Sequence, residues 1–110
     1  MKIPNQSQAV IEQSKITEYL LNIQHPKGGH KARLLMKFGY NINNWQQLEA
    51  DIRQNHLNAD PEIVKETAYG ISYEITAEIL TPSGKLLNLK TVWQIDKGKE
   101  IPRLITAYPN

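Results

Sequence analysis

The residue types best suited to chemistry crowd into one stretch, His25-Pro26-Lys27-Gly28-Gly29-His30-Lys31-Ala32-Arg33, at the start of a predicted helix. Glycines let a backbone approach an anion closely, and the first free N–H groups of a helix add partial positive charge. The stretch therefore reads as an anion site, most simply for phosphate, with His25, Lys27 and Arg33 as binding groups. The same imidazoles could hold a metal, but they lie five apart across a loop, the chain has no cysteine, and no carboxylate there is closer than Glu18. Metal binding is the minor reading, and neither a metal nor another cofactor is expected.

Phosphodiester cleavage without a metal needs a base for the attacking 2′-hydroxyl, a cation for the charge building on phosphorus and an acid for the departing oxygen. His30 with Lys31 or Lys27 has the chemistry for the first two. The last strand offers more groups. Strict alternation puts Leu104, Thr106 and Tyr108 on one face of it, opposite Arg103, Ile105 and Ala107, and puts Thr91 and Trp93 together on the strand before. If those faces meet, two hydroxyls, a phenol and an indole form one cluster, with Arg103 reaching it from the strand's start. The structural alternative stands beside this: threonines suit strands, an aromatic pair suits a core, and Arg103 can be a solvated charge.

The elements that must position these groups follow from period and punctuation. Ile3 to Ile11, interrupted by Pro4, reads as an edge strand or an extended lead-in. Ser14 caps a first helix with Ile16, Tyr19 and Leu20 at i, i+3, i+4 on its apolar face, and Pro and Gly signals end it. A second helix runs from about Gly29 to Phe38 and stops at Gly39. At about 100° per residue it groups His30, Arg33 and Lys37 on one side and Ala32, Leu35 and Met36 on the other. Lys31 falls near the Leu35 and Phe38 border, where a lysine either snorkels or meets a partner. A third helix starts after Asn43 or Asn44, packs Trp45, Leu48 and Ile52, and ends near His56, which is expected at the surface without a role.

From Pro61 the period changes to two. Ile63 to Ala68 gives a first strand; Ile71, Tyr73, Ile75, Ala77 and Ile79 alternate with polar residues in a second; Lys85 to Ile95 forms a third and Ile101 to Tyr108 a fourth. Short turns at 81–84 and 96–100 favour an antiparallel meander. The expected fold is α+β, with N-terminal helices packed on one face of a C-terminal three- to four-stranded antiparallel sheet.

Composition sets the frame. The chain has 110 residues, 40% of them hydrophobic, which fits a single domain over 1–110. A net charge of +2 means that any preference for polyanions must come from local clustering. There is no membrane-length apolar run and no signal-peptide block, so the expected location is cytoplasmic.

Several separated motifs, Lys15 to Leu21 (KITEYLL), His25 to Ala32 (HPKGGHKA), Phe38-Gly39-Tyr40 followed by Trp45 and Leu48, Thr91-Val92-Trp93, and Pro102 to Pro109 (PRLITAYP), span nearly the whole chain. Together they resemble a small bacterial domain family of unknown function found in polymorphic toxins and mobile elements. Its layout is similar to metal-independent ribonucleases of the barnase, EndoU, colicin and RelE type.

That resemblance implies a small toxin-type ribonuclease that cleaves RNA, tRNA or mRNA, by 2′-hydroxyl attack and pairs with a cognate antitoxin or immunity protein. It implies His30, Lys31, Thr106 and Tyr108 as catalytic groups, with Thr91 and Arg103 as sheet partners and Trp93 as a base-stacking or core residue. A chain opening on Met1 without a delivery region is expected to act inside the cell or to be a relative without activity. The alternative is a non-catalytic binding module, an antitoxin, immunity-like or phage accessory protein, using a basic face to bind an acidic partner or nucleic acid.

Overall fold

The computed structural model describes residues 1–27 and 29–110, so the role expected of Gly28 in the turn lies outside the described residues. The period-two half forms one antiparallel sheet in the order β1-β2-β3-β4. Its strands are β1 (Ile63–Thr67), β2 (Gly70–Leu80), β3 (Leu86–Asp96) and β4 (Arg103–Pro109). Tyr73 pairs with Trp93, Ile75 with Thr91 and Ile79 with Leu87. Directly paired residues point to the same face, and these are all buried.

That apolar face is covered by three helical pieces: a π-helix (Lys15–Leu20), α1 (Gly29–Lys37) and α2 (Trp45–Asn55). Each contributes its inward residues: Ile16 and Leu20, then Ala32 and Leu35, then Leu48 and Ile52. α1 ends as the glycine signal predicts. Gly39 takes φ +98°, and the Tyr40 N–H closes back on the Leu35 carbonyl at 3.2 Å. Tyr40 then donates to Asp51 Oδ2 at 2.5 Å, which ties the end of α1 to α2. The fold is the expected α+β pair of layers, helices first and sheet second.

Two expectations change. The lead-in forms a 3₁₀ turn (Gln6–Gln8) and only a single parallel bridge, Val10 to Arg103, because the apolar side chains of Ile3, Ala9 and Ile11 are taken into the core. His56, expected at the surface, is fully buried: the chain leaves α2 towards the sheet, and the ring meets the hydroxyl of Thr91 at 2.8 Å. Thr91 also accepts from Trp93 Nε1 at 2.9 Å.

Candidate functional site

Tyr19 is positioned by the π-helix. The Leu21 N–H bonds the Ile16 carbonyl five residues back at 2.8 Å, a wider turn than the α-helix. In that wider turn Ile16, Leu20 and Leu21 share the buried side. Tyr19, which α-helical spacing assigns to the same apolar face, is displaced outward to the β4 edge. Such π-turns recur at functional sites.

Lys31 is positioned by the tight entry to α1. A Cβ on Gly29 would lie 2.4 Å from the carbonyl oxygen of Ile23, so only glycine lets the helix start this close to the preceding turn. The need for glycine here is one of internal packing. With α1 held there, the Lys31 ammonium lies 5.7 Å from the Tyr19 ring centre and 5.0 Å from that of Tyr108. The Tyr108 contact is a cation–π distance, while at Tyr19 the ammonium sits off the hydroxyl end of the ring, 3.3 Å from its oxygen.

Thr106 and Tyr108 are positioned by an irregularity in β4. Val92 pairs with Thr106 but Trp93 with Leu104, so Ile105 is an extra residue on β4. The bulge breaks the strict alternation. Leu104 and Ala107 both face the core, paired with Trp93 and Thr91, while Thr106 and Tyr108 pair with Val92 and Lys90 on the opposite face. The expected cluster of Thr91 and Trp93 with Thr106 and Tyr108 is therefore split by the sheet. Thr91 and Trp93 are fully buried, and neither is reachable by a ligand on the other face.

What assembles instead centres on Tyr19. Its hydroxyl lies 3.1 Å from Thr106 Oγ1 and accepts from Lys31 Nζ at 3.3 Å. The Lys15 ammonium sits 5.4 Å from its ring centre, and the His25 ring meets it edge-on at 4.8 Å. Partial burial pushes the Tyr19 phenol up. The hydrogen bonds with Thr106 and Lys31, and the charges of Lys31 and Lys15, outweigh this and hold it below the ordinary tyrosine value. His25 Nδ1 accepts from the Lys27 backbone N–H at 3.0 Å, so in the neutral ring the proton is on Nε2. A cleft of about 390 Å³ opens beside these groups, walled by Glu12, Lys15, Glu18 and Arg103.

The remaining expected residues are placed as follows. Lys27, His30 and Arg33 are exposed. Among the described residues, the side chains of His30 and Arg33 make no hydrogen bond or ion pair, and His30 is not joined to the Tyr19 group. Arg103 reaches the cleft but makes a two-point ion pair with Asp96, at 2.8 and 3.1 Å. That pairing lowers the Asp96 carboxyl and raises the Arg103 guanidinium. Sequence reasoning missed Tyr19. The available signal was its four-residue spacing from Lys15 and its position just ahead of the basic turn. No group of three or more His, Cys, Asp or Glu side chains converges to hold a metal ion among the described residues, and none of the described helices is long and apolar enough to cross a membrane.

Comparison with known proteins adds three findings. A family model described as a domain of unknown function (DUF6883) matches residues 2–110. Among solved structures, a chain of the contact-dependent growth inhibition toxin–immunity protein complex from Klebsiella pneumoniae 342 has a TM-score of 0.71 at 18% identity, covering 96% of this chain and 97% of that one. At that identity the likeness is one of fold. No curated protein sequence matches.

Proposed function

The chain belongs to the DUF6883 family, a domain of unknown function, and from that premise we propose that it is a small toxin-type ribonuclease that cleaves RNA without a metal. In this reading the ribose 2′-hydroxyl attacks the neighbouring phosphorus, leaving a cyclic phosphate and a free 5′-hydroxyl. The carrying observation is Lys31, whose ammonium donates to the Tyr19 hydroxyl at 3.3 Å and lies 5.0 Å from the Tyr108 ring centre. A cation held by a phenol oxygen and beside a second aromatic ring can neutralise charge growing on a phosphate while nearby rings hold flanking bases by stacking. Thr106 and Tyr108 lie where they can orient the phosphate oxygens, and the exposed Lys27 and Arg33 extend the positive edge. The fold neighbour is part of a toxin–immunity complex, which supports a cognate protein partner as the second half of the proposal.

The test is cleavage of bulk cellular RNA and purified tRNA in excess EDTA, comparing the natural chain with Lys31→Ala at equal folded fraction. The expected result is cleavage by the natural chain and a loss of roughly 100-fold or more in the variant, the scale for losing a preorganised charge contact. Absence of cleavage by the natural chain overturns the ribonuclease reading and leaves a binding module on the same basic edge. Cleavage indifferent to Lys31 removes the site from this position.

A further inference from the structure

We infer that Tyr19 is the group that takes the proton from the attacking 2′-hydroxyl, with Tyr108 as its counterpart at the departing oxygen. The inference rests on the ribonuclease reading and deepens it. General base work requires a group that can be deprotonated, is held in one orientation and has room for substrate beside it. Tyr19 meets each requirement. Its oxygen is fixed by two partners from different elements, Thr106 on β4 and Lys31 on α1. Its ring is fixed by His25 from the following turn and faced by Lys15 from its own helix. Its side chain also lines the open cleft.

The charges around it favour the deprotonated form. Lys31 donates to the phenol oxygen, Lys15 lies 5.4 Å from the ring centre, and the Thr106 hydroxyl can turn to donate to a phenolate oxygen. The carboxylates on that side, Glu12 and Glu18, lie along the cleft wall with Arg103; burial is what opposes the effect, and the phenol is nonetheless held below its ordinary value. His30, by contrast, stands exposed on α1 with no group of the site in contact.

The Lys31 ammonium donates to the Tyr19 hydroxyl and lies 5.0 Å from the Tyr108 ring centre, so a phosphate drawn to it has both tyrosines as near neighbours. The Tyr108 hydroxyl has no hydrogen-bond partner among the described residues. The step balances as follows. The 2′-hydroxyl proton passes to the Tyr19 oxygen as the 2′-oxygen bonds to phosphorus. The bond from phosphorus to the 5′-oxygen breaks with its electron pair on that oxygen, which takes the Tyr108 proton. Water then returns a proton to Tyr108 and removes one from Tyr19.

The experiment pairs a kinetic and a spectroscopic readout. Cleavage of tRNA in EDTA is followed against pH for the natural chain, Tyr19→Phe and the exposed control Tyr69→Phe, each checked for folding by circular dichroism. Phenylalanine keeps the ring that His25 and Lys15 meet and removes only the hydroxyl. The expected loss is roughly 100-fold or more in kcat/KM for Tyr19→Phe, with the alkaline-rising limb of the natural profile gone, and no change for Tyr69→Phe. In parallel, ¹³Cζ-labelled tyrosine signals are titrated; the one missing from Tyr19→Phe should titrate below the ordinary tyrosine value.

Retained cleavage in Tyr19→Phe, an unmoved pH limb, or a Tyr19 signal titrating at or above the ordinary value each overturns the inference while leaving the ribonuclease reading intact. No cleavage by the natural chain at any pH sinks both, and is seen before any variant is compared.

Discussion

His56 has no exposed surface, and its protonation state is set by two neighbours. Trp93 Nε1 can only donate, and it donates to Thr91 Oγ1, so the hydroxyl proton of Thr91 is available to His56 Nδ1. The ring is then neutral with its proton on Nε2, which has no hydrogen-bond partner among the described residues. Burial lowers the His56 pKa from 6.5 to about 4, and the Ala77 backbone opposes that shift without meeting hydrogen-bond geometry. The unfolded chain therefore binds a proton below 6.5 that the folded chain refuses until about 4. Stability should be complete above pH 6.5 and fall by about 3 kcal/mol as pH drops through that window. Urea midpoints at pH 7.5, 6 and 4.5 should show this slope in the natural chain and lose it in His56→Gln. Thr91→Val, which strands His56 Nδ1 and Trp93 Nε1, should cost about 1–3 kcal/mol at neutral pH.

At the scale of elements, what the sequence made legible is what regular periods encode. The alternation from Ile71 to Ile79 and the run from Leu87 to Ile95 give β2 and β3 with the correct inward face, buried at Tyr73, Ile75, Ile79, Leu87, Leu89 and Trp93, though Ile71 at the sheet's end is exposed. The glycine at 39 and the asparagines before Trp45 mark the end of α1 and the start of α2. Regular periods cannot announce their own interruptions. One extra hydrogen-bond step in the π-helix moves Tyr19 off the core face, and one extra residue, Ile105, moves Thr106 and Tyr108 across the sheet from Thr91 and Trp93. The basic turn stands out by composition, but that Lys31 rather than His30 meets Tyr19 depends on how α1 docks.

That docking runs through Gly29. The oxygen a new Cβ would meet belongs to the Ile23 backbone, which cannot swing aside as a side chain can. Gly29→Ala should cost about 1–3 kcal/mol by overpacking and shift α1 away from the π-helix. Thermal unfolding should show the loss of stability. RNA cleavage should fall further than the folded fraction does, because the contact from Lys31 to Tyr19 spans the interface that opens; equal falls would mean that α1 repacks without moving Lys31.

For the whole molecule, a net charge of +2 hides an uneven distribution. On the sheet side Lys90 pairs with Glu62 and Glu74, Lys65 with Glu74, and Arg103 with Asp96, while Lys85, Lys97 and Lys99 are exposed in the turns at the sheet's ends. At the edge where the π-helix and α1 meet β4, Lys15, Lys27, Lys31 and Arg33 form no ion pair among the described residues. A polyanion gains little from cations that already have carboxylate partners, so under the proposed function RNA should draw most on this edge, where four unpaired cations lie closest to the Tyr19 group. Four phosphate contacts give a slope of about −3 for the logarithm of affinity against the logarithm of salt on a single strand. Fluorescence anisotropy with a labelled single-stranded RNA should return that slope, and Lys27→Ala and Arg33→Ala should each reduce its steepness by about 0.7. Lys65→Ala, which removes an exposed partner of Glu74, should leave slope and affinity unchanged. A steeper slope, or sensitivity to Lys65, would place RNA across the open face of the sheet rather than along its β4 edge.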